Sequence, residues 1–298
     1  MKTLRLAGLS LAALVLGATA LQAKTLVYCS EGSPENFTPA LNTTGTSFDA
    51  ARGVYNKLTE FERGSTKVEP GLAESWTVSE DGKVFTFKLR KGVKFHSVKP
   101  QNGLAFTPTR DFNADDVLFA FQRQSDEAHP YHKVSGGKYD YFSDMDMKKN
   151  VKSIEKVDDM TVRMTLNEAN APILANLAMD FMAIPSAEYA AMLQKAGKLE
   201  QFDQVPVGTG PFSFVAYQKD AMIRYKANPA FYGEKALVDD LVFAITPDPT
   251  ARYAKLKANE CQFIIAPRPA DLAEMQKDSA LKVISQPGLN IAYWAFNV

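Results

Sequence analysis

Apolar and polar positions along the chain divide it into strands and helices that do not follow one another in strict turn. Residues 24–29 read as a strand and the Gly/Pro/Asn/Thr-rich stretch 30–46 as a loop. Phe48, Ala51, Val54, Tyr55 and Leu58 recur at three- and four-residue spacing, which predicts a helix over 48–58. Phe85, Phe87 and Leu89 alternate with Thr86, Lys88 and Arg90, the period of a half-buried strand, and Asp81-Gly82 supplies the turn of a hairpin joining 76–78 to 84–90. A second hairpin is expected over 151–166, turning at Asp158-Asp159, with Val162, Met164 and Leu166 alternating. Between the hairpins Asn113 caps a helix whose first turn carries Asp115 and Asp116, acids suited to the positive end of the helix dipole. Val117, Leu118 and Phe121 form its buried face.

Further helices are expected over 172–182, 186–196, 249–259 and 270–277. Strands are expected over 212–217, 221–226, 237–246, 261–265, 281–285 and 289–297. Strands and helices mixed in this way predict an α/β or α+β class with a mixed sheet. The chain stops at Phe296-Asn297-Val298 inside apolar alternation, without turn or cap, which reads as an interrupted strand.

The first residues change the picture. Lys2 and Arg5 precede an apolar run over 6–15 that is too short to span a bilayer, and small residues lead to Ala23. This predicts a secretory signal peptide over 1–23, cut after Ala23, with Ala20 as second choice. No cysteine follows either site, so lipid attachment is not expected. The formal charge of 0 becomes −2 once Lys2 and Arg5 leave, which argues against a nucleic-acid partner. No later apolar stretch is long enough for a membrane helix, so membrane insertion is not expected.

Export bears on the cysteines. Cys29 and Cys261 are an even pair in strand-like sequence, which favours a disulfide in an oxidising compartment; two separate buried thiols are the alternative. Neither lies in a CxxC or metal-ligand spacing.

Candidate chemistry is sparse. His129 and His132 fall in a loop around Pro130 and lack a helical metal-binding pattern, and His96 has no marked nucleophile beside it. Gly208-Thr209-Gly210-Pro211 lacks the Lys-Ser/Thr of a phosphate loop, and Pro211 removes an amide donor, so it reads as a tight turn into a strand. Asp115-Asp116, Asp158-Asp159 and Asp239-Asp240 are explained by a helix start, a turn and a strand edge. No catalytic residues, metal or cofactor are expected; the pattern favours binding over catalysis.

Several segments are similar to one family. The stretch 69–96, opening Glu69-Pro70-Gly71-Leu72-Ala73-Glu74 and closing Gly92-Val93-Lys94-Phe95-His96, resembles the signature of family 5 extracellular solute-binding proteins. Asn113-Ala114-Asp115-Asp116-Val117, Pro206-Val207-Gly208-Thr209-Gly210-Pro211-Phe212 and Ile245-Thr246-Pro247-Asp248 match the same family. The stretches 24–35 and 129–137 are closer to its dipeptide-binding members.

The resemblance implies an α/β, two-lobe periplasmic binding protein fold of type II, present mainly as the first lobe with an inserted subdomain. It implies a first-lobe core over 24–55 and 205–285, an insertion over 56–204, and a crossing into a truncated second lobe over 286–298. It also implies a Cys29–Cys261 disulfide. By the same resemblance Thr43, Thr44 and Gly45 meet the backbone of a peptide ligand, through hydroxyls, amides and the close approach that glycine permits. The implied function is capture of dipeptides or short peptides in the periplasm by a monomer that delivers them to inner-membrane ABC importer permease subunits. Oligopeptide, glutathione, haem or nickel are alternative family ligands; a periplasmic chaperone or a hydrolase stands further away.

Overall fold

The computed structural model describes residues 23–285. The signal segment expected over 1–23, except its last residue, lies outside the described residues, as do the strand expected over 289–297 and the crossing over 286–298.

In chain order the strands are β1 (Thr25–Ser30), β2 (Thr59–Phe61), β3 (Val68–Pro70), β4 (Ala73–Val78), β5 (Val84–Leu89), β6 (Val151–Asp158), β7 (Thr161–Leu166), β8 (Phe212–Gln218), β9 (Met222–Ala227), β10 (Asp240–Ile245) and β11 (Phe263–Ile264). The helices are α1 (Gly45–Arg52), α2 (Ala114–Ser125), α3 (Asp140–Asp144), α4 (Met147–Asn150), α5 (Ile173–Leu177), α6 (Ala187–Lys195), α7 (Gln201–Gln204), α8 (Pro249–Lys257) and α9 (Leu272–Met275).

One sheet has five strands in the order β11-β1-β10-β9-β8. β1 runs parallel to both neighbours, pairing Cys29 with Ala244 on one side and with Ile264 on the other. The β10–α8–β11 connection is therefore a parallel crossover, and its helix begins at Pro249 with the Asp248 carboxylate accepting from the Ala251 N–H at 2.7 Å. β8, β9 and β10 pair antiparallel, so the sheet is mixed. Cys29 and Cys261 are joined in a disulfide with their Cα atoms 5.8 Å apart, fastening β1 to the approach of β11.

A second, antiparallel sheet has the order β4-β5-β7-β6. Phe85, Phe87 and Leu89 face inward with Val162, Met164 and Leu166, as the alternation predicts. α2 packs on this sheet with Val117, Ala120 and Phe121 buried; Leu118 is partly buried. Its first turn is more elaborate than a dipole argument requires. Asn113 and Asp116 form a capping box, and Asp116 is fully buried, where it takes both forks of Arg110 at 2.7 and 2.8 Å and the Ala187 N–H at 2.8 Å. A continuous cluster of buried side chains runs from Tyr28 and Phe243 through Phe87 and Val162 to Phe202, linking these two sheets; β2 and β3 pair separately as a two-stranded ribbon.

Several expected elements differ. The helix expected over 48–58 is α1, which stops at Arg52; Val54, Tyr55 and Leu58 are buried beyond it. The chain leaves the helix at Gly53 because the turn after α7 docks there. Gly210 donates to the Val54 carbonyl at 2.8 Å, and Phe212 donates to the Gly53 carbonyl at 2.9 Å. A Cβ on Gly208 would sit 2.1 Å from the Val54 carbonyl oxygen, so this close approach demands glycine.

The helix expected over 172–182 is broken. α5 is followed by a short 3-10 turn, Asp180–Met182, with Met179 extended between them. The strand expected over 237–246 starts only at Asp240, and Leu237 is 90% exposed. The helix expected over 270–277 is reduced to a 3-10 turn, Pro269–Asp271, followed by α9. Residues 281–285 form no strand.

Candidate functional site

The N-terminus of α1 follows directly from the loop that leaves β1. Thr44 is the N-cap residue, and its carbonyl accepts the Phe48 N–H at 3.2 Å. Its hydroxyl donates to Ser47 Oγ at 2.9 Å, and that oxygen also accepts the Glu35 N–H at 3.1 Å, tying the loop to the helix. Gly45, Phe48 and Arg52 then lie at i, i+3 and i+7, one face of the helix. That face forms a wall of an open cleft of about 880 Å³.

Thr43 and Gly45 line this cleft, and Thr44 is not among its lining residues. All three are exposed. A Cβ placed on Gly45 would meet nothing within 4 Å, so glycine here leaves bare backbone facing the cleft rather than relieving a clash.

Aromatic rings build the floor. Phe48 meets Tyr141 edge-on at 5.7 Å between centroids, and Tyr141 stacks on Phe181 at 6.1 Å. Beside them Arg52 makes a fork with Asp180, its Nε at 3.1 Å and Nη2 at 2.8 Å from Oδ2, while Nη1 reaches Asp49 at 2.7 Å. Tyr28 donates to the same Asp49 carboxylate at 3.4 Å. Burial pushes the Asp49 carboxyl above its ordinary value, against the opposing pull of Arg52 and the Tyr28 hydroxyl.

The remaining wall comes from β2 and its turn. Lys57 pairs with Glu60 at 2.8 Å. The turn from β2 to β3 is closed by Glu62 N–H donating to the Lys67 carbonyl at 2.9 Å and Ser65 N–H donating to the Glu62 carbonyl at 3.0 Å. The Glu62 carboxylate also accepts from Ser65 Oγ at 3.0 Å and pairs with Lys67 at 3.3 Å. Gly64 has φ of +77°, the left-handed conformation such a turn needs. Arg63 stands at the tip of this stapled turn, exposed and lining the cleft.

Arg52, Tyr141, Asp180 and the 61–65 turn were not singled out from the sequence, and Phe48 entered only as part of a buried helix face. For Phe48 and Arg52 a signal exists: on a helix starting at Gly45, they fall on the same face as that glycine. Nothing local marks Asp180 or Tyr141.

The histidines have other uses. His96 is buried, with Nε2 2.8 Å from the Gly210 carbonyl, and burial pushes its pKa down to about 4. His129 Nδ1 accepts the Tyr131 N–H at 3.2 Å, and His132 Nδ1 lies 2.8 Å from the Arg123 carbonyl in the last turn of α2, so both are bonded to backbone. Among the described residues no group of three or more His, Cys, Asp and Glu is disposed to hold a metal ion. Among them, too, no helix is long and apolar enough to cross a membrane.

Residues 67–298 match the family described as bacterial extracellular solute-binding proteins, family 5 Middle. The dipeptide-binding protein of Escherichia coli (strain K12) is 54% identical over 292 residues, covering 98% of this chain and 54% of that protein. The heme-binding protein A of Haemophilus influenzae is 54% identical over 274 residues, covering 92% of this chain and 49% of that protein. The crystal structure of a dipeptide binding protein from Pseudoalteromonas sp. SM9913, in complex with Met-Leu, superposes with a TM-score of 0.81 at 38% identity. It covers 86% of this chain and 50% of that one. The chain spans about half the length of the curated relatives it matches.

Proposed function

This chain belongs to family 5 of the bacterial extracellular solute-binding proteins, with the type II periplasmic binding protein fold, and on that premise we propose that it captures dipeptides or short peptides in the periplasm for an inner-membrane ABC importer. The carrying observation is the cleft that unites Thr43 and the bare backbone of Gly45 with an aromatic floor and a charged wall. Main-chain amides and hydroxyls bind a peptide backbone whatever its side chains, which suits an importer that accepts many sequences.

Thr43, Thr44 and Gly45 meet the ligand main chain in this reading, Thr44 chiefly by holding Ser47 through its hydroxyl at the start of the helix that presents its neighbours. Binding leaves the peptide intact, with no catalytic group or cofactor. Export proceeds through 1–23. The five-stranded sheet, drawn from residues on either side of the four-stranded one, supports a first-lobe core over 24–55 and 205–285 with an insertion over 56–204. The protein acts as a monomer, handing ligand to the importer's permease subunits.

Calorimetry of the full-length protein with a dipeptide panel tests this reading, together with Gly45→Val. A Cβ there meets nothing within 4 Å and the position is exposed, so thermal unfolding should change little while affinity falls about tenfold, the equivalent of ~1.4 kcal/mol. Unchanged affinity would remove the 43–45 stretch from the site. Equal identity to a heme-binding relative favours haem as the second reading. A Soret band on titration, without heat from peptides, would select it.

A further inference from the structure

The charges that line the cleft are almost all answered within the protein. Arg52 is forked to Asp180 and also bonded to Asp49, Lys57 is paired with Glu60, and Glu62 is paired with Lys67. Among the described residues, Arg63 is the one cation lining the cleft with no carboxylate in ion-pair distance. Its backbone is not loose. The turn carrying it is closed by two backbone hydrogen bonds and by the Glu62 carboxylate, which binds both Ser65 and Lys67.

We propose that Arg63 is a specificity-determining residue that receives a carboxylate of the bound peptide, so that the cleft prefers ligands carrying negative charge toward the β2–β3 turn. A guanidinium has five donors in a planar fork that matches a carboxylate, and here the fork has no competing acid. The neutralised pairs around it make the preference one of sign. Asp180, Glu60 and Glu62 each already hold a cation, so a ligand ammonium finds no unanswered acid on these walls, whereas a ligand carboxylate finds Arg63. Two sources supply that group: an acidic side chain or the terminal carboxylate.

The assignment rests on the peptide reading, and the experiment separates the two. Affinities of the full-length protein are measured by calorimetry for Ala-Glu against Ala-Gln and for Ala-Ala against its C-terminal amide. Each pair is measured with the native protein and with Arg63→Gln and Arg63→Glu. An exposed ion pair predicts a preference of about five-fold for the charged member of one pair, weakened by salt. Arg63→Gln should abolish it and Arg63→Glu invert it. Loss confined to the Ala-Glu pair assigns the contact to a side chain; loss confined to the Ala-Ala pair assigns it to the terminus. Peptide binding with both ratios unchanged in the variants overturns the assignment alone. Absence of binding to every peptide overturns the peptide reading and this assignment with it. Arg63 is exposed at a turn, so its variants should keep the native unfolding temperature, and that measurement guards against misfolding.

Discussion

Two guanidinium–carboxylate forks in this molecule share their chemistry and differ in their surroundings. Arg123 grips Asp203 at 2.8 and 2.9 Å in the interior, where the side chains are 3% and 0% exposed. Arg52 grips Asp180 on the cleft wall, with 54% and 21% exposure. The interior fork is enclosed on every side. Phe202 and Tyr131 lie over the guanidinium at 5.2 and 5.7 Å, Tyr139 OH accepts from Nε, and Thr38 donates to Asp203. It joins α2, α7 and the loop before α1, and water cannot replace any of its partners. The cleft fork keeps solvent and spare donors within reach. Burial thus decides that one fork fixes the fold while the other shapes the wall of an open cleft.

Removing one partner should expose the difference most sharply. Arg123→Ala leaves the Asp203 carboxylate buried without its cation and is expected to cost ~3–5 kcal/mol in urea unfolding. The double replacement Arg123→Met with Asp203→Leu should recover most of that loss, because no buried charge then remains. A small loss in the single variant would break the contrast.

A smaller effect comes from another interior group. His96 is buried with Nδ1 lacking a partner among the described residues, and its folded pKa of about 4 lies below the ordinary 6.5. A depressed histidine pKa means that the unfolded chain binds the proton first. Stability is therefore full above pH 6.5 and declines as pH falls from 6.5 toward 4, by up to about 3 kcal/mol. His96→Gln should flatten that part of the pH profile of the urea midpoint. An unaltered slope would show that the imidazole is not the titrating group.

The smallest effect is expected at the cleft. Arg52→Ala should shift stability by no more than ~1 kcal/mol, since solvent screens the exposed pair, and the shift should shrink with added salt. A loss as large as that of Arg123→Ala would erase the distinction between the forks.

What could be read from the sequence follows the range of the interactions. Both hairpins and the cap of α2 depend on neighbours a few residues away, so alternation and Asn113 reveal them. The forks join residues 80 and 128 positions apart and leave no local period. The overlong helix at 48–58 has the same origin. Burial of Val54, Tyr55 and Leu58 continues the apolar spacing, but a turn more than 150 residues later bends the chain away at Gly53. Leu237 shows the converse, an apolar residue that extends a strand on paper and stays in solvent. Thr43 and Gly45 entered through family resemblance; no hydrophobic pattern marks them, because an open wall buries little.

The cystine links positions 232 residues apart, and β1 has both of its sheet neighbours near that far end. As the polypeptide emerges N-terminus first during synthesis, this inner strand has nothing to pair with until almost the whole described length has followed. Contacts of such long span close late and slow maturation. On the proposed reading of export, the cystine would close only after that pairing, in an oxidising compartment.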